Sequence, residues 1–288
     1  MNRWIITSRP KTLTAAISPA VLGSALAFSD GYFNILTFIV ILITAMLIQI
    51  GTNFSNDLFD YLRGVDNADR LGPDRALQKG LVSKEEIQRA IIIIFIIAII
   101  FGFYLAYLGG WPIVVIGLLS IFSGIIYTGG PYPLAYNGLG DLFVFIFFGL
   151  IAVSGTYYLH TGILSTTSII AGCTIGALAT AILVINNLRD INTDKKYGKN
   201  TLAVYIGQKL TKIEYIFLMI IAYSIPIYIS YILGHKSAIY IIYFTLPISM
   251  RLILEILYKQ GRDLNKTLEG TAKLLLLYTI LFSFGIAV

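Results

Sequence analysis

The 288-residue sequence predicts an all-α, polytopic membrane protein of about nine transmembrane helices. Hydrophobic residues make up 57 % of it and charged residues 12 %, with a mean hydropathy of +0.81, whereas about a quarter of a soluble domain is charged. Apolar runs long enough to span a bilayer, which takes ~20 helical residues, recur along the whole chain. Lysine and arginine collect in alternate connections between those runs, as in chains that keep short basic loops on the cytoplasmic side.

Taken in order, a basic N-terminus with Arg3, Arg9 and Lys11 leads into runs at roughly 13–28 and 35–51. A polar connection of about 38 residues follows, long enough to suggest a functional segment rather than a simple turn. It carries Arg63, Arg70, Arg75, Lys79, Lys84 and Arg89. Ser83 with Glu85 and Glu86 reads as an N-cap and acidic first turn, so a helix is expected to start there and run into the third span, 90–108. Spans at 112–128, 139–158 and 168–187 come next, then a connection with Arg189, Lys195, Lys196, Lys199, Lys209 and Lys212. Runs at 213–233, 238–257 and 271–288 complete the series, with Lys259, Arg262 and Lys266 before the last; Lys236 alone falls in a loop on the other side. An odd number of spans then places the N-terminus in the cytoplasm and the C-terminus outside, in the cell (cytoplasmic) membrane. No linker divides the chain, which reads as one membrane domain over 1–288.

The net charge of +6 is mostly this topology signal; it can also attract anionic lipid or substrate, and implies no nucleic acid. The basic start, apolar stretch and Ala25-Leu26-Ala27 admit a cleaved signal peptide as the lesser alternative. Cys173 reads as an inert buried thiol, His160 and His235 as ordinary loop residues, and Arg251 as a snorkelling side chain.

Chemistry concentrates in two clusters, each where an apolar run meets a basic connection. Asn53, Asn56, Asp57 and Asp60 stand at i, i+3, i+4 and i+7, one face of a helix; four spans later Asn186, Asn187, Asp190 and Asp194 also recur at three- and four-residue spacing. One such cluster is as readily a salt-bridged helix end. Two at equivalent places suggest halves of one site, and carboxylates in that partly wet position point to divalent cations. Mg2+ in particular shares its shell with substrate phosphates. Metal ligands would be Asp57, Asp60, Asp190 and Asp194, with Asn53, Asn56, Asn187 and Asp66 contributing. Arg75, Lys79, Arg189 and Lys199 would contact a diphosphate. Among Tyr127, Tyr132, Tyr136, Tyr157 and Tyr158, Tyr127 is favoured as a cation-stabilising ring because it ends a span beside a Gly/Pro turn.

Four blocks carry a family resemblance: Arg9-Pro10-Lys11-Thr12-Leu13; Asn53 to Gln78, reading N-x-x-N-D-x-x-D-x-x-x-G-x-D and then D-R-x-G-P-x-R-x-x-Q; Tyr127-Thr128-Gly129-Gly130-Pro131 leading to Gly138-Leu139-Gly140-Asp141; and Asn186-Asn187-Leu188-Arg189-Asp190-Ile191 with Gly198-Lys199-Asn200-Thr201-Leu202. In these the chain resembles the UbiA superfamily of intramembrane prenyltransferases. The resemblance implies helices around a central cavity, two Asp-rich motifs facing each other at its cytoplasmic mouth, and Mg2+ bridging a polyprenyl diphosphate. It further implies a 1,4-dihydroxy-2-naphthoate acceptor, since Gly64 stands where the 4-hydroxybenzoate branch has another Asp and Asp66 follows two residues on. A 4-hydroxybenzoate, homogentisate or porphyrin acceptor is the alternative, and a membrane transporter the rival class. Beyond residue 205 no motif is visible.

Overall fold

The structure is a computed structural model describing residues 3–67, 69–234 and 236–288. A short helix α1 (Arg3–Ser8) precedes the nine that build the bundle. These are α2 (Pro10–Ser29), α3 (Ile35–Leu62), α4 (Lys84–Gly109), α5 (Trp111–Ile126), α6 (Gly140–Thr161), α7 (Thr166–Lys196), α8 (Leu202–Ile232), α9 (Ser237–Tyr258) and α10 (Gly261–Ala287). Among the described residues, all but α5 of these nine are both long and apolar enough to cross a membrane; α5 is apolar but has 16 residues. Each expected run therefore lies in one helix to within two residues at its ends.

The differences lie at the ends. Apolar runs expected to stop at residues 51 and 187 continue as helix to Leu62 and Lys196. Hydropathy marks where a helix leaves the apolar layer, whereas the backbone ladder continues until something breaks it. What breaks it is the same in both places: Gly64 and Gly198, at φ 71° and 72°, follow the last turns in the left-handed conformation that glycine adopts without steric cost. Both clusters thus stand on extra turns beyond the apolar stretch, as the repeat suggested. At α4 the expected N-cap forms a capping box, with Glu86 N donating to Ser83 Oγ at 3.1 Å and Ser83 N to Glu86 Oε2 at 2.8 Å.

Helix α7 is the core of the bundle. Ala171, Ile175, Leu178, Ala181, Val184 and Ile185 are buried along it. Lipid tails are as apolar as leucine, so close backbone approach holds membrane helices together better than bulk apolarity does. A Cβ on Gly149 of α6 would lie 2.7 Å from Gly172 O and from Gly176 Cα of α7. That crossing falls within a π-helical stretch, Phe145–Ile151, whose wider turn sets Phe147 and Phe148 on the wall of the interior cavity.

Helix α2 supplies Ala15, Ala16 and Pro19 to the same wall and packs against α10 and α6, so it is built into the bundle. His160 was expected in a loop; it sits in the last turn of α6 and joins it to α2. Asn34 N donates to its Nδ1 at 3.3 Å, which leaves Nε2 to donate to Ser24 Oγ at 3.0 Å. Cys173 is half-buried with its thiol on Ile169 O, Arg251 is exposed and paired with Glu255, and His235 lies outside the described residues.

Candidate active site

The bundle encloses a cavity of about 670 Å³. Its deeper wall is apolar, with Ala15, Pro19, Ile48, Phe147, Phe148 and Ile182; its mouth is ionic, with Asn56, Asp60, Arg75, Asn187, Arg189 and Lys199. Between the two clusters lies a chamber of about 30 Å³ lined by Asp60, Asp190 and Asp194 together with Arg70, Arg75 and Lys199. Residues from the ends of α3 and α7 thus meet across one small space.

Four of the carboxylates there are paired with a cation. Asp57 accepts from Arg9 and is ion-paired with Arg75 Nη1 at 2.9 Å; Asp66 accepts from Arg70, with Arg75 Nε 3.4 Å from its Oδ2. Asp60 Oδ1 accepts from Tyr136 Oη at 2.8 Å, and its Oδ2 lies 3.7 Å from Lys199 Nζ. Asp190 takes a bidentate pair from Arg189, at 2.8 and 2.5 Å. Asp194 is buried on the chamber wall.

Burial pushes the Asp66 carboxyl up to about 6; Arg70 opposes that shift and the Asp60 charge adds to it. Burial alone would lower the Lys199 ammonium, but the charges of Asp60, Asp194, Asp66 and Asp190 outweigh it and the net shift is upward. Burial and then the Asp60 charge hold the Tyr136 phenol far above its ordinary range, so it remains a donor.

Not every expected residue joins this centre. The Asn53 amide donates to Ser8 O and Thr12 Oγ1, both at 2.9 Å, and accepts from Gln49, so it fastens the α1–α2 junction to α3 instead of facing the chamber. Lys79 does not line the cavity; it is half-exposed and pairs with Asp74 at the cavity's rim. Asn56 faces the cavity but its Oδ1 accepts from Thr128 Oγ1 at 2.9 Å. Tyr127 lies on the cavity wall, whereas Tyr132 is exposed and Tyr157 and Tyr158 bond Asp30 and Gly109 O at the opposite end.

Two contributors, Arg9 and Arg70, were missed, and Tyr136, expected only as a candidate ring for a cation, takes another role. Arg9 and Arg70 stand inside the quoted sequence blocks, but their charges read equally as topology signals. Arg9 is the one non-glycine among the described residues with positive φ, at 50°, a strained conformation of the kind that clusters at functional sites. Tyr136 is folded over Asp60 by the short 3-10 turn Leu134–Tyr136, with its ring beneath Arg63 and Lys199.

The residues fit a hard divalent cation. Every donor is oxygen, and Asp57 Oδ2 and Asp66 Oδ2 are buried without a hydrogen-bond partner. A chamber of 30 Å³ can take a particle the size of a water molecule. Among the described residues no three acidic, imidazole or thiol groups form a ready-made cage. Five carboxylates, Asp57, Asp60, Asp66, Asp190 and Asp194, face five cations, Arg9, Arg70, Arg75, Arg189 and Lys199. A site so balanced suits a cation and an anion arriving together better than either alone.

An apolar intramembrane cavity with an ionic mouth of this kind defines a protein that handles an amphiphile with a charged head. The sequence matches the UbiA prenyltransferase family over residues 16–280, and the chain belongs to that family. It is 42 % identical over 211 residues to the 1,4-dihydroxy-2-naphthoate octaprenyltransferase of Escherichia coli (strain K12), covering 71 % of this chain and 68 % of that protein. To the protein of the same name from Haemophilus influenzae it is 34 % identical over 100 % of this chain and 96 % of that one. A solved UbiA homolog from Archaeoglobus fulgidus bound to GPP and Mg2+ shares the fold with a TM-score of 0.64 at 17 % identity, over 99 % of both chains. The apo UbiA homolog from Aeropyrum pernix K1 does so at 0.66 and 17 %, over 96 % of this chain and 98 % of that one.

Proposed function

We propose that this chain transfers a polyprenyl group from a polyprenyl diphosphate to 1,4-dihydroxy-2-naphthoate, releasing diphosphate and the acceptor carboxylate as carbon dioxide and giving the quinol form of demethylmenaquinone. The observation that carries the reading is the meeting of two carboxylate clusters at the mouth of an apolar cavity. The relatives' names supply the acceptor. The one-sided basic connections support a reading in which the N-terminus and the mouth face the cytoplasm.

Asp57, Asp60, Asp66, Asp190 and Asp194, with Asn187, would hold Mg2+. Bound there, the metal would draw charge onto the departing diphosphate. Arg9, Arg70, Arg75 and Lys199 surround the same space and orient the diphosphate by charge-assisted hydrogen bonds, which strengthen as negative charge builds on the leaving oxygen. Tyr136 holds one oxygen of Asp60 in place. The apolar wall receives the prenyl chain and excludes water, which would otherwise quench the allylic cation; Tyr127 turns a ring toward that cavity. The acceptor ring then attacks the cation. Membranes containing the chain, supplied with labelled polyprenyl diphosphate, dihydroxynaphthoate and Mg2+, are expected to form prenylated naphthoquinol. Product with 4-hydroxybenzoate, homogentisate or a porphyrin instead would overturn the acceptor but keep the chemistry.

A further inference from the structure

Arg189 has little capacity left for a substrate. Its Nε and Nη2 bond the two oxygens of Asp190, Nη2 also bonds Asn186 Oδ1 at 2.8 Å, and Nη1 bonds Asn265 Oδ1 at 2.8 Å. Of the guanidinium's five N–H donors, only one on Nη1 stays free. Asn265, at the start of α10, uses its amide Nδ2 to donate to Leu71 O at 3.0 Å. The next residue, Gly72, lies against the guanidinium so closely that a Cβ there would be 2.7 Å from Nη2. On either side of this contact stand Arg70, bound to Asp66, and Arg75, bound to Asp57. One amide therefore ties α10 both to the second cluster and to the segment that brings the first cluster its cations.

We propose that Asn265 is a positioning residue that latches segment 70–75 and the Arg189–Asp190 pair into one unit, with Arg189 serving the latch and not the diphosphate. The inference rests on reading the mouth as a cation–diphosphate site. The position needs an acceptor toward Arg189 and a donor toward Leu71 together, and asparagine supplies both on one short stem. Aspartate keeps the acceptor alone, alanine neither, and glutamine both at the wrong length.

The test uses the full chain in nanodiscs, with limited tryptic cleavage after Arg70 and Arg75, whose side chains are only 13 % and 12 % exposed, and separate KM values for the two substrates. Asn265→Ala and Asn265→Asp should speed that cleavage and raise the KM for polyprenyl diphosphate about ten- to a hundredfold, the usual cost of losing a supporting contact behind a metal site. The acceptor KM should stay within about twofold, Asn265→Gln should restore part of the loss, and Gly72→Ala should reproduce the alanine pattern. Unchanged cleavage and diphosphate KM in Asn265→Ala would overturn the proposal. So would a lowered Tm with both KM values rising alike and cleavage unchanged, since that is the signature of a merely structural contact. If the unsubstituted chain transferred no prenyl group, the functional reading would fall while the cleavage comparison still decided the latch.

Discussion

Replacing Tyr136 by phenylalanine removes one oxygen and leaves the rest of its surroundings in place. The phenol donates to Asp60 Oδ1 at 2.8 Å in a buried setting, while the ring keeps Arg63 and Lys199 within 5.0 and 5.3 Å of its centroid. Phenylalanine preserves both cation–ring contacts and the volume. What is lost is a hydrogen bond to a charged group, worth about 1.5–3 kcal/mol. Because Tyr136 orients a carboxylate assigned to the metal, the loss should appear as a weaker response to Mg2+. Tenfold corresponds to ~1.4 kcal/mol, so the Mg2+ concentration for half-maximal activity should rise about 10- to 150-fold. The ceiling rate at saturating Mg2+ should fall much less. The assay is prenyl transfer by the purified variant over a Mg2+ titration, with Tyr136→Ala as the harsher comparison because it also strips both cations of their ring. A Mg2+ response in Tyr136→Phe that overlays the unsubstituted protein would refute the assignment of Asp60 to the metal or of Tyr136 to Asp60.

Asp57→Asn, Asp60→Asn and Asp190→Asn should each abolish most prenyl transfer while the protein still extracts and melts as a folded species; retained turnover would remove that residue from the site. Gly149→Ala sets a Cβ 2.7 Å from the α7 backbone, which cannot swing away as a side chain can, and should cost about 1–3 kcal/mol, read as a lowered Tm in detergent. Asp66, raised from 3.8 to about 6 by burial, favours the fold fully when protonated, below its unfolded value, and that contribution is lost as pH rises through 6. A bound cation needs the ionised form, so thermal stabilisation by Mg2+ should be large near about pH 7.5 and shrink below about pH 6; a pH-independent shift would separate Asp66 from the metal. Arg251→Leu should leave activity within about twofold, because the side chain is 79 % exposed and bonds its neighbour Glu255 one turn away.

The helical architecture was legible because each span must satisfy its own backbone in a medium that offers no partners, and a long apolar run is the direct trace of that requirement. Where a helix leaves the apolar layer the trace ends, so the last turns of α3 and α7 and the start of α8 had to come from the structure. The carboxylates were legible for the converse reason: Asp57, Asp60, Asp190 and Asp194 are costly where they stand and recur at helical spacing. Their cations were harder to assign, since Arg9, Arg70 and Lys79 carry the same charge and serve topology equally well, and only folding shows which of them reach the mouth. Tyr127 stood out because it ends a helix, yet Tyr136 takes the carboxylate because a single 3-10 turn folds it back. Asn265 carried no signal at all. Its role depends on three segments distant in sequence meeting at one amide, which no spacing rule encodes.

The central claim is that the ends of α3 and α7 form one cation–diphosphate site, and it is tested most directly by a crystal of this protein grown with Mn2+ and geranyl diphosphate. An anomalous peak touching a carboxylate of Asp57, Asp60 or Asp66 on one side and Asp190 or Asp194 on the other, with the diphosphate bound to it, is the result the account predicts. Manganese confined to a single cluster, or a diphosphate seated without metal on the arginines alone, would contradict it.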